Sequence, residues 1–172
     1  MKATKLILCI VAMSTMLFTA CNKENEEQTL ADNTIVYDGV TYQMTTTLDP
    51  FNDNLAWMDA YNDSLQFMAY HVFPASWFLC DLTYDDLTVE WPYFECYGVL
   101  EMNTEHGELD GQQYGYDPET GLGLSVFESG TAKRSYVNKT LSLEVNAILK
   151  NGKSFALKLT VTDDWFHIDP NY

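Results

Sequence analysis

The chain has 172 residues and a formal net charge of −16 at pH 7, because 25 Asp and Glu outnumber 9 Lys and Arg. No Lys or Arg occurs between Glu24 and Ala132, so most of the chain is purely acidic. This charge argues against nucleic acids and anionic lipid headgroups as partners. A solubilising acidic surface is one interpretation, and a site for cations, sugars or a basic protein is the other.

Residues 1–20 have the pattern of a lipoprotein signal peptide. Two lysines precede an apolar run over 6–18, which is too short to span a bilayer as a mature helix. The string Leu-Phe-Thr-Ala-Cys at 17–21 resembles a bacterial lipobox, in which the cysteine is lipidated and becomes the mature N-terminus. We therefore expect a palmitate-type lipid on Cys21 to anchor the protein in the outer membrane; a plain secretory signal is the alternative.

Residues 21–33 are polar and acidic without hydrophobic periodicity, which predicts a flexible tether. The β domain is expected to span 34–172, where aromatic and β-branched residues begin. Its first element is a hairpin around Asp38-Gly39. A two-residue type I′ turn there places Tyr37 opposite Val40, so that apolar residues face each other.

The segment 48–63 gives conflicting signals. Asp53 could cap a short helix that presents Leu55, Met58 and Tyr61 on one face. The density of Asn and Asp also suits a long loop. We predict one or two helical turns here.

The middle of the chain contains short alternating runs that are typical of strands. Between them, 103–121 is the longest polar stretch and predicts a long loop or a poorly formed hairpin. Residues 74–86 favour a turn of helix or a buried connection over one end of the sheet. The expected strands are 64–73, 87–91, 94–102, 122–127 and 131–137.

A hairpin over 140–162 is the clearest element in the sequence. A two-residue turn at Asn151-Gly152 would place Val145 opposite Lys158, which pairs an apolar with a polar residue. A three-residue loop over 150–152, with Gly152 in the left-handed conformation, instead gives one wholly apolar face. The predicted pairs are Leu141 with Val161, Leu143 with Leu159, Val145 with Leu157 and Ala147 with Phe155.

These elements predict an all-β fold: a single antiparallel β-sandwich or partly closed barrel, with eight to nine strands and at most one short helix. The apolar face of the last hairpin requires a core, since each buried large side chain contributes about 1.5–3 kcal/mol. Periodicity alone does not separate a sandwich from a barrel.

No local motif of a known active site occurs. The sequence lacks a Gly-x-Ser-x-Gly elbow, His-Glu-x-x-His, a phosphate-binding glycine loop and Cys-x-x-Cys. We expect no cofactor and no metal, and we interpret His71 as a packed strand residue. Cys80 and Cys96 could form a disulfide in an exported protein, with two buried thiols as the alternative.

Aromatic residues are the remaining signal, since 4 Trp and 11 Tyr exceed what a sheet of this size needs. An aromatic platform beside carboxylates is how many β-sandwiches hold sugars, through stacking on the ring face. Some of these rings should therefore be exposed. The predicted ligand-binding residues are Trp57, Tyr61, Tyr114 and Tyr116.

The lipobox Cys21 is followed by acids, Ile-Val-Tyr-Asp-Gly-Val-Thr-Tyr stands at 35–42, and Glu-Ser-Gly-Thr at 128–131 precedes the closing hairpin. In this arrangement the chain resembles the small all-β lipoproteins of Bacteroidetes-type bacteria, which have no assigned function. The resemblance implies export to the periplasm or cell surface. In that group the acids after the cysteine resemble a surface-export signal, and Asp-Ser-Leu at 63–65 resembles an O-glycosylation site.

The sequence thus favours a lipid-anchored binding or structural module of the bacterial outer membrane, on its periplasmic or cell-surface side. Its expected ligand is a glycan or another surface protein, and we favour a non-enzymatic role. The alternatives are a carboxylate-dependent glycan hydrolase, since paired carboxylates leave no local motif, and a barrel that binds an apolar small molecule.

Overall fold

The computed structural model describes residues 30–52, 55–74, 81–115, 119 and 124–162. Within these ranges the chain forms thirteen β-strands and no helix. None of the described residues belongs to a helix that is long and apolar enough to cross a lipid bilayer. The strands are β1 (Thr34–Tyr37), β2 (Val40–Gln43), β3 (Thr45–Asn52), β4 (Leu55–Asn62), β5 (Phe67–Pro74), β6 (Leu82–Tyr84), β7 (Phe94–Tyr97), β8 (Met102–Asn103), β9 (Glu108–Leu109), β10 (Gln112–Gln113), β11 (Phe127–Val137), β12 (Thr140–Leu149) and β13 (Ser154–Thr162).

The strands form two antiparallel sheets. The six-stranded sheet has the order β2-β1-β13-β12-β11-β6, and the seven-stranded sheet has the order β10-β9-β8-β7-β5-β4-β3. The sheets pack on each other: the rings of Phe94 in β7 and Phe155 in β13 are 5.9 Å apart between centroids. The described strands therefore form an all-β, sandwich-like fold that is not closed into a barrel.

Both predicted hairpins are confirmed, with their loop lengths. Ile35 pairs with Tyr42 across a turn whose two residues, Asp38 and Gly39, have φ of 52° and 78°, as a type I′ turn requires. Val145 pairs with Leu157 across the longer loop, and Gly152 has a φ of 82°. The other three predicted pairs of the last hairpin are also present.

The core lies between the sheets and is built by the inward half of each alternating strand. In β12 and β13 these are the residues that the parity argument places on one face. Two polar side chains, His71 and Arg134, are buried with them, at 3% and 1% exposure. The largest buried apolar side chains are Phe67, Phe94, Phe127, Phe155, Ile35, Met58, Leu87, Leu100, Leu109 and Leu141.

The prediction of helical turns within 48–63 is wrong. The described residues of this segment belong mainly to the paired antiparallel strands β3 and β4, in which Leu48 pairs with Met58; residues 53 and 54 lie outside the described residues. Ala56, Met58 and Ala60 are buried, whereas the residues between them point outward. Buried and outward residues alternate along β4, as in a strand. Because two of the buried residues are alanines, the sequence shows this alternation only weakly.

Two further expectations need correction. Leu87–Trp91 is not a strand, because the side chain of Asp86 accepts hydrogen bonds from the backbone N and the hydroxyl of Thr88 and forms a turn. The strand lies earlier, at β6. Eight to nine strands is also too few, because β3 and β4 replace the predicted helical turns and the chain after β7 contributes the two-residue strands β8, β9 and β10.

Candidate functional site

The outer face of the seven-stranded sheet carries a row of polar and aromatic side chains. Strand pairing places one residue from each of five adjacent strands, β3, β4, β5, β7 and β8, side by side. Because side chains alternate along a strand, the whole row faces away from the core. The row consists of Thr47, Asp59, Tyr70, Glu95 and Asn103.

Three aromatic rings form a continuous surface on this face, which we call the aromatic platform. Trp57 stacks on Tyr70 with 5.9 Å between ring centroids and 20° between the ring planes. Tyr70 is in turn 5.6 Å from Tyr97, at 33°. Tyr97 is 42% exposed. The platform therefore offers ring surface to solvent across β4, β5 and β7.

A groove of about 690 Å³ runs along this surface. Trp57 and Tyr70 of the platform line it, together with Asp59, Tyr61 and the exposed Met68. The groove therefore combines ring faces with a carboxylate, which is the composition of many ligand sites.

Glu95 is the polar centre of the platform. Its carboxylate accepts hydrogen bonds from the hydroxyls of Tyr93 and Tyr97, and from Asn103 Nδ2 at 2.9 Å. The residue is only 7% exposed. These three hydrogen bonds offset the free-energy cost of burying the carboxylate. They also hold the rings of Tyr93 and Tyr97 in place.

The tyrosines around Glu95 hold their protons tightly. Burial raises the pKa of Tyr70, and its hydrogen bond with Tyr97 and the charge of Glu95 raise it further. The hydrogen bond to Glu95 is the main cause that raises the pKa of Tyr97. Burial and the bond to Glu95 do the same for Tyr93. These hydroxyls are therefore hydrogen-bonding groups rather than bases.

Two carboxyl groups, those of Asp59 and Asp49, lie near each other at the β3–β4 end of the face. Burial raises the pKa of Asp59, and the charge of Asp49 raises it further. Asp59 pairs with Thr47, so Asp49 is its diagonal neighbour, and such neighbours lie about 7–8 Å apart between Cα atoms. A carboxyl with increased proton affinity thus lies beside a second carboxylate.

A tight contact sets where Tyr97 sits. The next residue, Gly98, has a φ of 103°, and a Cβ there would lie 2.5 Å from the carbonyl oxygen of Gln66. The end of β7 therefore packs directly on the β4–β5 turn, which only glycine allows. This contact holds Tyr97 beside Met68, its partner in the strand pairing.

Of the four predicted ligand-binding residues, two line the groove, one lies elsewhere and one is outside the described residues. Trp57 and Tyr61 lie on the outer face of β4 and line the groove. Tyr114 is half-buried against the core, with Lys150 Nζ 5.8 Å from its ring centroid. Tyr116 lies outside the described residues.

Three residues of the site were missed from the sequence: Tyr70, Glu95 and Tyr97. The alternation of β5 could have placed Tyr70 opposite the buried side of that strand. Its meeting with Glu95 and Tyr97 depends on the pairing of β5 with β7, which are separated by the whole of β6 and its flanking segments.

The other predicted sites are only partly within the described residues. Cys96 is fully buried on the core face of β7, and burial raises the pKa of its thiol. Cys80 and Cys21 lie outside the described residues, so the disulfide and the lipid attachment stay predictions. In the part of the chain that the structure describes, no group of three or more His, Cys, Asp or Glu is arranged to hold a metal ion.

Protein-family models, curated proteins and solved structures were compared with this chain, and none gave a significant match.

Proposed function

We propose that this chain is a lipid-anchored glycan-binding module of the bacterial envelope, whose site is the outer face of the seven-stranded sheet. The observation that carries the proposal is the aromatic platform of Trp57, Tyr70 and Tyr97 around the hydrogen-bonded carboxylate of Glu95. Sugars present apolar C–H faces and a rim of hydroxyls. Stacked rings complement the faces, and fixed carboxylate and hydroxyl groups complement the rim.

The arrangement of the platform supports binding more than chemistry. Glu95 is shielded and its carboxylate already accepts three hydrogen bonds, so it is poorly placed to exchange protons with a substrate. The rings are held by neighbours across the sheet, which lowers the entropy lost when a ligand stacks on them. A surface protein as ligand is the other form of this proposal.

The anchor rests on the sequence alone. The apolar run over 6–18 and the lipobox string at 17–21 support lipidation of Cys21. One acyl chain gives only marginal membrane binding, whereas two or more hold a protein stably. A module tethered in this way would present its glycan site at the membrane surface.

The test is binding of the purified protein to an array of bacterial, plant and host glycans, followed by titration calorimetry on any positive glycan. We expect Trp57→Ala and Tyr97→Ala each to lower the affinity by about tenfold or more, because each removes stacking surface. Tyr97 is the cleaner site, since its ring is 42% exposed.

The matched control is Ile148→Ala, which removes an exposed apolar side chain from the six-stranded sheet. It should leave affinity unchanged, and thermal unfolding should show that all variants are folded. Absence of binding to every glycan on the array would refute the proposal. Binding that both platform variants retain in full would refute the site.

A glycan hydrolase is a second candidate, and Asp59 is the observation that favours it. Inverting glycosidases separate an acid with a raised pKa from a base by about 6.5–9.5 Å, which is compatible with diagonal neighbours such as Asp59 and Asp49. The test is release of reducing ends from the glycans that bind. Hydrolysis that Asp59→Asn abolishes, with binding retained, would establish this function; no release from any bound glycan would exclude it.

A further inference from the structure

A second groove opens beside the aromatic platform. It has a volume of about 360 Å³ and lies where the chain enters and leaves β7 and β8. Val89 on its rim is 74% exposed, so the groove has an apolar edge that is open to solvent. The groove is lined by Val89, Glu90, Trp91, Tyr93, Thr104 and Glu105.

The walls of this groove are fixed by hydrogen bonds. Trp91 Nε1 donates to the carbonyl oxygen of Thr104 at 3.1 Å. The hydroxyl of Thr104 is fully buried, accepts from Phe94 N at 2.8 Å and also contacts the carbonyl of Pro92 at 3.2 Å. The indole ring is thus held in one orientation before any ligand arrives.

Tyr93 connects the second groove to the row of side chains around Glu95, and Tyr70, which pairs with Glu95 in that row, lines the first groove. Tyr93 lines the second groove, and its hydroxyl donates a hydrogen bond to Glu95, a member of the row. Asn103, the next member of the row, directly precedes Thr104 of the second groove. The second groove is therefore adjacent to the β8 end of the row, next to the aromatic platform.

The two grooves also share one sign of charge. Asp59 and Asp63 line the first, and Glu90 and Glu105 line the second. No Lys or Arg is among the described residues that line either groove. Uronic acids, sulfated sugars and phosphorylated sugars would meet only repulsion here.

We propose that the two grooves form one continuous site, and that its ligand is an extended, unbranched glycan without acidic groups that lies across the strands from β4 to β8 and ends on Trp91. This inference rests on the glycan-binding function proposed above. Adjacent strands are about 4.8 Å apart, which is close to the length of one pyranose unit. The three intervals from β4 to β8 therefore cover about 14 Å, or about three sugar units, and Trp91 adds one more.

The test is affinity as a function of chain length. Neutral β-linked gluco-, manno- and xylo-oligosaccharides, from disaccharide to hexasaccharide, are titrated against the purified protein. With the series that binds, we expect affinity to rise up to the tetrasaccharide or pentasaccharide and then level off. Trp91→Ala should lower affinity for the hexasaccharide by about tenfold and leave the disaccharide unaffected.

Val89→Ala is the second variant, because its exposed side chain supports no core contact and the protein should fold normally. It should lower hexasaccharide affinity by a smaller factor than Trp91→Ala. Val137→Ala, which is 58% exposed at the end of β11, is the matched control and should change nothing. Acid-bearing oligosaccharides of equal length should bind at least about tenfold more weakly, because both grooves are acidic.

The outcomes separate this inference from the function on which it rests. If wild-type protein binds disaccharide and hexasaccharide equally well, and neither Trp91→Ala nor Val89→Ala changes hexasaccharide affinity, the continuous site is refuted while glycan binding stands. If wild-type affinity rises with chain length, Trp91→Ala removes that rise, and Trp57→Ala lowers affinity at every length, both stand. If neither these oligosaccharides nor any glycan on the array binds, both fall.

Discussion

His71 should make the stability of this domain depend on pH in the mildly acidic range. The side chain lies in β5 at 3% exposure and stacks on Phe73 with 5.2 Å between centroids. Burial lowers its pKa from 6.5 to about 4, and the positive charge of Arg134 contributes. The hydrogen bond from Nδ1 to the carbonyl oxygen of Tyr93, at 2.6 Å, acts in the opposite direction.

The size of the effect follows from that difference in pKa. Above pH 6.5 the imidazole is neutral in both the folded and the unfolded chain, so protonation of His71 does not lower the free energy of unfolding there. As the pH falls from 6.5 to about 4, the unfolded chain binds a proton that the folded chain does not. The free energy of unfolding should therefore decrease by about 3 kcal/mol over this window.

The assay is urea unfolding at a series of pH values for wild-type protein and His71→Asn. The Asn side chain keeps a donor near the position of Nδ1 but does not titrate. Carboxyl groups titrate alike in both proteins, so the difference between the two curves isolates His71. We expect wild type to lose about 3 kcal/mol more than the variant between pH 7 and pH 4. Parallel curves would show that the folded protein accepts the proton, and would refute the reasoning.

Four further substitutions test the fold and the site. Gly130→Ala should cost about 3 kcal/mol or more, because a Cβ at φ 148° would lie 2.5 Å from a β12 carbonyl oxygen; Gly39→Ala, with open space at φ 78°, should cost about 1 kcal/mol. Equal costs in urea unfolding would contradict the close approach. Phe155→Ala should cost about 3–5 kcal/mol by the same measurement, since its ring is 1% exposed between the sheets; less than half of that would mean the core collapses around it. Glu95→Gln should cost about 2 kcal/mol and weaken glycan binding, because an amide nitrogen cannot accept from Tyr97; an unchanged Tm would argue against the hydrogen-bonded centre.

The sequence predictions were accurate where a feature of the fold depends on residues that are close together in the chain. The register of β12 and β13 could be predicted because a one-residue shift would place Val145 opposite Lys158. That test needs only two neighbouring runs and one turn. The pairing of β3 with β4 was not predicted, because Ala56 and Ala60 on the buried face of β4 weaken the apolar alternation and the flanking Asn and Asp favour loops.

The candidate site could be predicted only in part, for a related reason. Trp57 and Tyr61 could be named because they are large aromatics in a polar context. Glu95 could not be named, because the local sequence shows only an acidic residue in a strand and does not reveal the hydrogen-bond donors around it. The hydroxyls of Tyr93 and Tyr97 come from the same strand region, but Asn103 comes from another strand, and the platform itself needs three strands in register.

The position of β13 has a consequence for how the protein is made. The last described strand lies between β1 and β12 in the six-stranded sheet, so the first and last described strands pair directly. That sheet cannot be completed until β13 has been synthesised, and such long-range pairing is slow. The six-stranded sheet of a nascent chain, and the core that it covers, would therefore stay incomplete until then. This delay would suit the export that we propose from the sequence pattern of residues 1–20, because a chain that folds late can still be translocated in an unfolded form.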